Sequence, residues 1–178
     1  VEDRMEHLTA ASSATGRLTK IKASIDDQGT IHALDYDQID DVGAYPRAPE
    51  PASLYRMHGN LSGAYKVKNI RCRNRVILTN KTPSGLNRGF GGPQHYFALE
   101  RLVHQIAVEL KLNVLDVIKI NLLDKNQFPY KSPSGALLDS GNFQKLVKKV
   151  IESSTYKKIL KNKNNSIKNG KIYGIGYS

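Results

Sequence analysis

Between Thr79 and Gln94 the chain carries glycine at 85, 89, 91 and 92 and proline at 83 and 93, so this stretch has to be a loop. It is bracketed by regular structure. Val76-Ile77-Leu78 before it reads as a short strand, and after it His95–Leu110 places Leu99, Leu102, Val103, Ile106, Ala107 and Leu110 at helical spacing. Pro93 suits the first turn of that helix. A glycine-rich loop feeding a helix start presents unpaired N–H groups to an anion, and Arg88 adds a planar cation suited to phosphate or an oxyanion. A tight connection with no ligand satisfies the same pattern. Neither nucleotide signature is present: there is no Gly-Lys-Ser/Thr, and the glycine spacing is not GxGxxG.

Charge narrows the alternatives. The net charge is +11, and residues 144–178 contribute nine lysines against one acid. Lysine without arginine or interleaved aromatics is poor equipment for gripping nucleic acid, so a solvated lysine-rich helix face and loop is the expectation, with no nucleic-acid partner. The 178 residues suffice for one domain with a sizeable core. Cys72 is the only cysteine, which excludes an internal disulfide and any iron–sulfur or zinc site built from this chain's cysteines. No apolar run is long enough for a bilayer and no signal peptide is visible, so a reducing, cytoplasmic setting without a membrane partner is expected.

Residues 17–37 alternate as two strands around an Asp26-Asp27-Gln28-Gly29 turn, which predicts a β-hairpin. Its acidic end, Asp35, Asp37, Asp40 and Asp41, lacks calcium-loop spacing and reads as an exposed strand end and turn. From Val42 to Ser53 the prolines at 46, 49 and 51 predict a rigid extended excursion. Arg71 and Arg73 flank Cys72 and would lower its thiol pKa if it were exposed, although an inert thiol near a strand is the plainer expectation. Asn113 can cap a helix through Leu122, with Asp116 three residues on in capping-box style. Phe128–Leu138 reads as loop. Phe143, Leu146, Val147, Val150 and Ile151 form one face of a third helix, and Lys171–Ser178 reads as a strand. The expected fold is α+β, with mixed β-sheets covered by packed helices.

Arg88-Gly89-Phe90-Gly91-Gly92-Pro93-Gln94 resembles the second molybdopterin-contacting segment of the molybdenum hydroxylases. That family includes xanthine dehydrogenase, aldehyde oxidoreductases and the large subunit of carbon monoxide dehydrogenase. Val1–Leu8 resembles the family's VEDRxExL segment. Gly43-Ala44-Tyr45, Pro49-Glu50-Pro51, Gly63-Ala64-Tyr65, Thr79–Pro83 and Glu100-Arg101 follow in the family's order.

The resemblance implies the fold of the aldehyde oxidase/xanthine dehydrogenase molybdopterin-binding domain. Residues 1–170 would form the central part of that region, and 171–178 the first strand of a following, missing segment. It also implies hydroxylation of an aldehyde or N-heterocycle with water-derived oxygen. The cofactor would be molybdopterin, in its plain or cytosine-dinucleotide form. Arg88, Gly89, Phe90 and Gly91 would contact it, and Gln94 would support the loop or merely cap the helix. Phe90 would also face the substrate or else lie in the core. Arg56 stands where xanthine dehydrogenases carry a substrate-orienting arginine, and a surface arginine fits there equally.

No segment here matches the family's general-base glutamate, so no catalytic residue and no protein metal ligand is assigned to this chain. The remaining large-subunit segments, an iron–sulfur subunit and a flavin subunit carrying FAD are the implied partners, and alone the chain is expected to be inactive. A non-catalytic remnant or assembly module of the same fold is the alternative. Copper-containing carbon monoxide dehydrogenases place a reactive cysteine after the loop arginine. Here Gly89 stands at that position, which argues against carbon monoxide as substrate.

Overall fold

The computed structural model describes residues 1–11, 13–14, 16–47, 57–85, 89, 91–168 and 170–178. A short helix, α1 (Arg4–Ala10), opens the chain. Its Asp3 side chain accepts the Glu6 N–H while the Glu6 carboxylate accepts that of Asp3, so the helix start is closed from both sides.

The predicted hairpin is β1 (Gly16–Ile25) against β2 (Ile31–Asp41), antiparallel, with β3 (Asn69–Ile77) added parallel on the other side of β2. The sheet is therefore mixed, in the order β1-β2-β3. β3 starts well before the apolar run at 76–78 that announced it, because its first residues alternate charged and apolar rather than forming a continuous run. Asp26 shapes the hairpin turn. Its carboxylate accepts from the N–H groups of Gln28 and Thr30, and these bonds, Thr30's foremost, hold its pKa below the ordinary value.

Helix α2 (Gly92–Glu109) lays its apolar stripe across one face of the sheet. Leu99, Val103, Ile106 and Ala107 meet Ile31, Leu34 and Tyr36 of β2, and the short α3 (Val114–Asn121) closes the core with Val117 and Ile118. Burying each large aliphatic side chain contributes about 1.5–3 kcal/mol. Asn121 joins two layers from within. Its amide donates to the carbonyls of Gly29 and Val117, and its oxygen accepts the Ile31 N–H, each at 2.8 Å. The hairpin turn is thereby pinned to α3.

The other sheet face is charged. Arg71 pairs with Asp35, and Arg75 with Asp37 at 2.7 Å. Period-2 alternation sends Asp40 the opposite way, so the expectation of an exposed acidic strand end fails there: Asp40 is fully buried. Alternation also turns Arg71 and Arg73 outward and Cys72 inward. Burial pushes the Cys72 thiol up, not down.

Asn113 caps α3 through the Leu115 N–H at 2.8 Å. The expected capping box does not form, because the Asp116 carboxylate takes Lys119 at 3.2 Å instead. Within the predicted loop at 128–138 sits a two-residue hairpin, β4 (Tyr130–Lys131) with β5 (Leu137–Leu138). The amphipathic α4 (Phe143–Glu152) forms as read, and the lysine-rich tract continues as α5 (Ser154–Lys168). Residues 171–178 pair with no strand among the described residues. They lie along the helices, where the Tyr177 carbonyl meets His104 Nε2 at 2.7 Å and its hydroxyl meets that of Tyr156 at 3.0 Å. No helix of the described residues is long and apolar enough to cross a membrane.

Candidate cofactor-contacting loop

The loop after β3 is fastened before it reaches α2. The N–H groups of Val42, Ala44 and Ser84 donate to the carbonyls of Ile77, Lys81 and Val42, while Thr79 N–H donates to Gly43. Ser13 clamps the other side, donating to Pro83 O at 3.2 Å and accepting from Gly85 N–H at 3.1 Å. Gly43 is obligatory at this crossing. Its φ is +77°, and a Cβ there would sit 2.5 Å from the Thr82 carbonyl oxygen.

Asp41 supplies the charged centre of the fastening. Its carboxylate accepts from Lys81 Nζ at 2.7 Å, Thr79 Oγ1 at 2.6 Å and Gly43 N–H at 3.0 Å. These bonds, Lys81's foremost, bring its pKa down to about 2. The Gly43-Ala44-Tyr45 and Thr79–Pro83 motifs are thus two halves of one latch, which their separation in sequence conceals.

Beyond the latch, Gly89 and Gly91 both have φ of +82°, and the Gly92 N–H donates to Gly89 O at 2.7 Å. Gly91 is the N-cap residue of α2, and Pro93 lies in the first turn as predicted. This turn consumes the Gly92 donor, and Pro93 has none, so the helix start offers an anion less than the sequence suggested. One turn on, His95 is fully buried. Its Nε2 donates to Leu61 O at 3.0 Å, an oxygen that also accepts from Tyr36 Oη at 2.9 Å, and burial holds the imidazole's pKa down. His95 therefore anchors the helix start to the core.

Beside the loop, a groove of about 700 Å³ opens between β1 and α2, walled by Arg17, Thr19, Pro93, Gln94 and Arg101 among others. Gln94 Oε1 is buried with no partner among the described residues. Arg17, buried with Asp40, grips it through two hydrogen bonds of 2.5 and 2.9 Å.

Of the sequence-predicted site residues, Gly89 and Gly91 stand together at the start of α2, whereas Arg88, Phe90 and Arg56 lie outside the described residues. The Asp41 latch and the Arg17–Asp40 pair were not singled out. For Asp40 the signal was available, because alternation along β2 puts it on the face of Leu34 and Tyr36.

The first 122 residues match the family model described as the molybdopterin cofactor-binding domain. The chain belongs to that family, that of the molybdenum hydroxylase large subunits. It is 27% identical over 98% of its length to the gamma subunit of the 6-hydroxypseudooxynicotine dehydrogenase complex of Paenarthrobacter nicotinovorans, covering 23% of that protein. It is likewise 27% identical over 88% of its length to the carbon monoxide dehydrogenase large chain of Hydrogenophaga pseudoflava, covering 20% of it. Quinoline 2-oxidoreductase from Pseudomonas putida 86 superposes with a TM-score of 0.84 at 26% identity, over 96% of this chain and 22% of that one. The chain thus spans about a fifth of the length of these relatives.

Proposed function

We propose that this chain is the cofactor-contacting part of a molybdenum hydroxylase large subunit that oxidises an aldehyde or an N-heterocycle with oxygen taken from water. It acts within a cytoplasmic assembly that includes the rest of that subunit and iron–sulfur and flavin subunits, and is inactive alone. The observation that carries this reading is the latched loop itself. Asp41, Gly43 and Ser13 fasten residues 79–85 at both sides, and Gly89 and Gly91 stand together at the start of α2.

The residues fit a pterin. Gly89 is exposed, lies against Pro93 and carries no side chain to block a flat ligand, and Gln94, which walls the groove with Pro93, has a side-chain oxygen with no partner among the described residues. Once bound, molybdopterin supplies the redox chemistry. The chain's own part is to hold and orient. Gly89 and Gly91 line the cofactor, Arg88 donates to its oxygens, Gln94 steadies the loop, and Phe90 offers the substrate a flat face, with Arg56 reaching the substrate's polar edge. Gly89 has no thiol, which supports a substrate other than carbon monoxide.

The test is Arg88→Ala in the assembled enzyme, with molybdenum and pterin content read beside activity. Loss of cofactor supports the assignment. Unchanged cofactor content with full activity refutes it.

A further inference from the structure

Helix α4 is amphipathic, yet none of its residues is buried. Phe143 and Val147 pack against the core, while Leu146 and Val150 remain 62% and 52% exposed. These two form one wall of an apolar groove of about 560 Å³, whose other sides come from α2, α3, α5 and residues 175–178. Glu100 and Tyr65 lie in the same groove. The Tyr65 hydroxyl donates to Glu100 Oε1 at 2.9 Å, whereas Oε2 is buried with no partner among the described residues. Burial raises the Glu100 pKa against the pull of the Tyr65 hydrogen bond. An exposed apolar wall together with an unanswered carboxylate oxygen describes half of an interface.

We propose that this groove seats an apolar segment from the rest of the large subunit, bearing a lysine or arginine that meets Glu100. The proposal rests on the reading that the chain works inside a larger subunit. Two observations select this occupant. A cation is the complement of a buried carboxylate whose second oxygen lacks a donor. And the relatives are four to five times longer than this chain, so such a subunit has further segments available to cover the groove. A second copy is a poor fit, because a two-fold contact through α4 would bring the exposed Lys145, Lys148 and Lys149 of both copies together.

The experiment uses the complete assembly with the photo-crosslinking residue benzoylphenylalanine in place of Leu146. The expected product is one crosslinked peptide from the large subunit outside residues 1–178, containing a lysine or arginine. Adding Glu100→Lys should cut its yield at least tenfold, and Glu100→Gln, which removes the charge without reversing it, should give an intermediate yield. A crosslink to a second copy or to another subunit, no crosslink, or a yield indifferent to Glu100→Lys would overturn the proposal. If the lysine variant does not fold, the crosslink made with Glu100 intact still decides. Molybdenum content on the same sample separates the two ideas. Molybdenum without the crosslink sinks the groove alone, and the crosslink without molybdenum sinks the enzyme reading alone.

Discussion

Replacing Asn121 with alanine tests how the hairpin is held to the helices. Three hydrogen bonds of 2.8 Å are lost, but their losses are unequal. Val117 O, four residues back in α3, still serves as an acceptor within the helix. The Ile31 N–H and the Gly29 carbonyl are orphaned in a region where Asn121 itself is 1% exposed. An unsatisfied buried group costs about 1–3 kcal/mol, so two give roughly 3 kcal/mol once some relaxation is allowed. For a chain of this size that lowers the midpoint of thermal unfolding by roughly 6–12 °C. Hydrogen exchange adds a local readout, since the Ile31 amide should lose protection before the amides of α2. Asn121→Asp sharpens the comparison. It keeps the acceptor for Ile31 but turns a second carboxylate oxygen toward two carbonyls, so it should be worse than alanine near neutral pH and recover as the pH falls. A loss under about 1 kcal/mol for alanine, or an aspartate variant as stable as wild type at pH 7, would refute this account of the junction.

Gly43→Ala should destabilise the loop by at least about 1–2 kcal/mol, combining a left-handed backbone with the close approach to Thr82, and would appear as faster proteolysis within residues 79–85. Asp41 sets an acid limit on the same latch. Its folded pKa of about 2 lies below the ordinary carboxylate value, so its contribution is complete above about pH 4. It fades as pH falls toward 2, and Asp41→Asn should abolish that acid sensitivity of loop proteolysis. Arg17→Met leaves the buried Asp40 without its guanidinium and should cost about 3–5 kcal/mol, whereas pairing it with Asp40→Leu should recover much of the loss in a denaturation double-mutant cycle.

Periodicity revealed the elements and their faces because each depends on neighbours in sequence. The hairpin at β1–β2, the apolar stripe of α2 and the Asn113 cap could be read in this way. In two places one local rule prevailed over another. Asp116 chose Lys119 over a capping box, and Cys72 follows the strand's inward face rather than the charges on either side. The site was legible as a motif and not as a mechanism of support. Nothing local says that Asp41 would bind Lys81 across 40 residues, or that Ser13 would clamp Pro83.

The parallel pairing of β3 with β2 also sets an order of events. The β1–β2 hairpin closes over a turn of a few residues, but β3 can dock only after residues 42–68 have made their crossover. Short-range closure is fast, and each longer loop adds entropy that must be overcome before contacts repay it. On a growing chain, one edge of β2 stays open until Ile77 has emerged, with Leu34 and Tyr36 still uncovered because α2 lies further on. An unpaired edge next to bare apolar residues is the form in which a nascent chain is most prone to pair with another. The crossover that brings the latch within reach of the loop is therefore also the interval in which the unfinished protein most needs a chaperone.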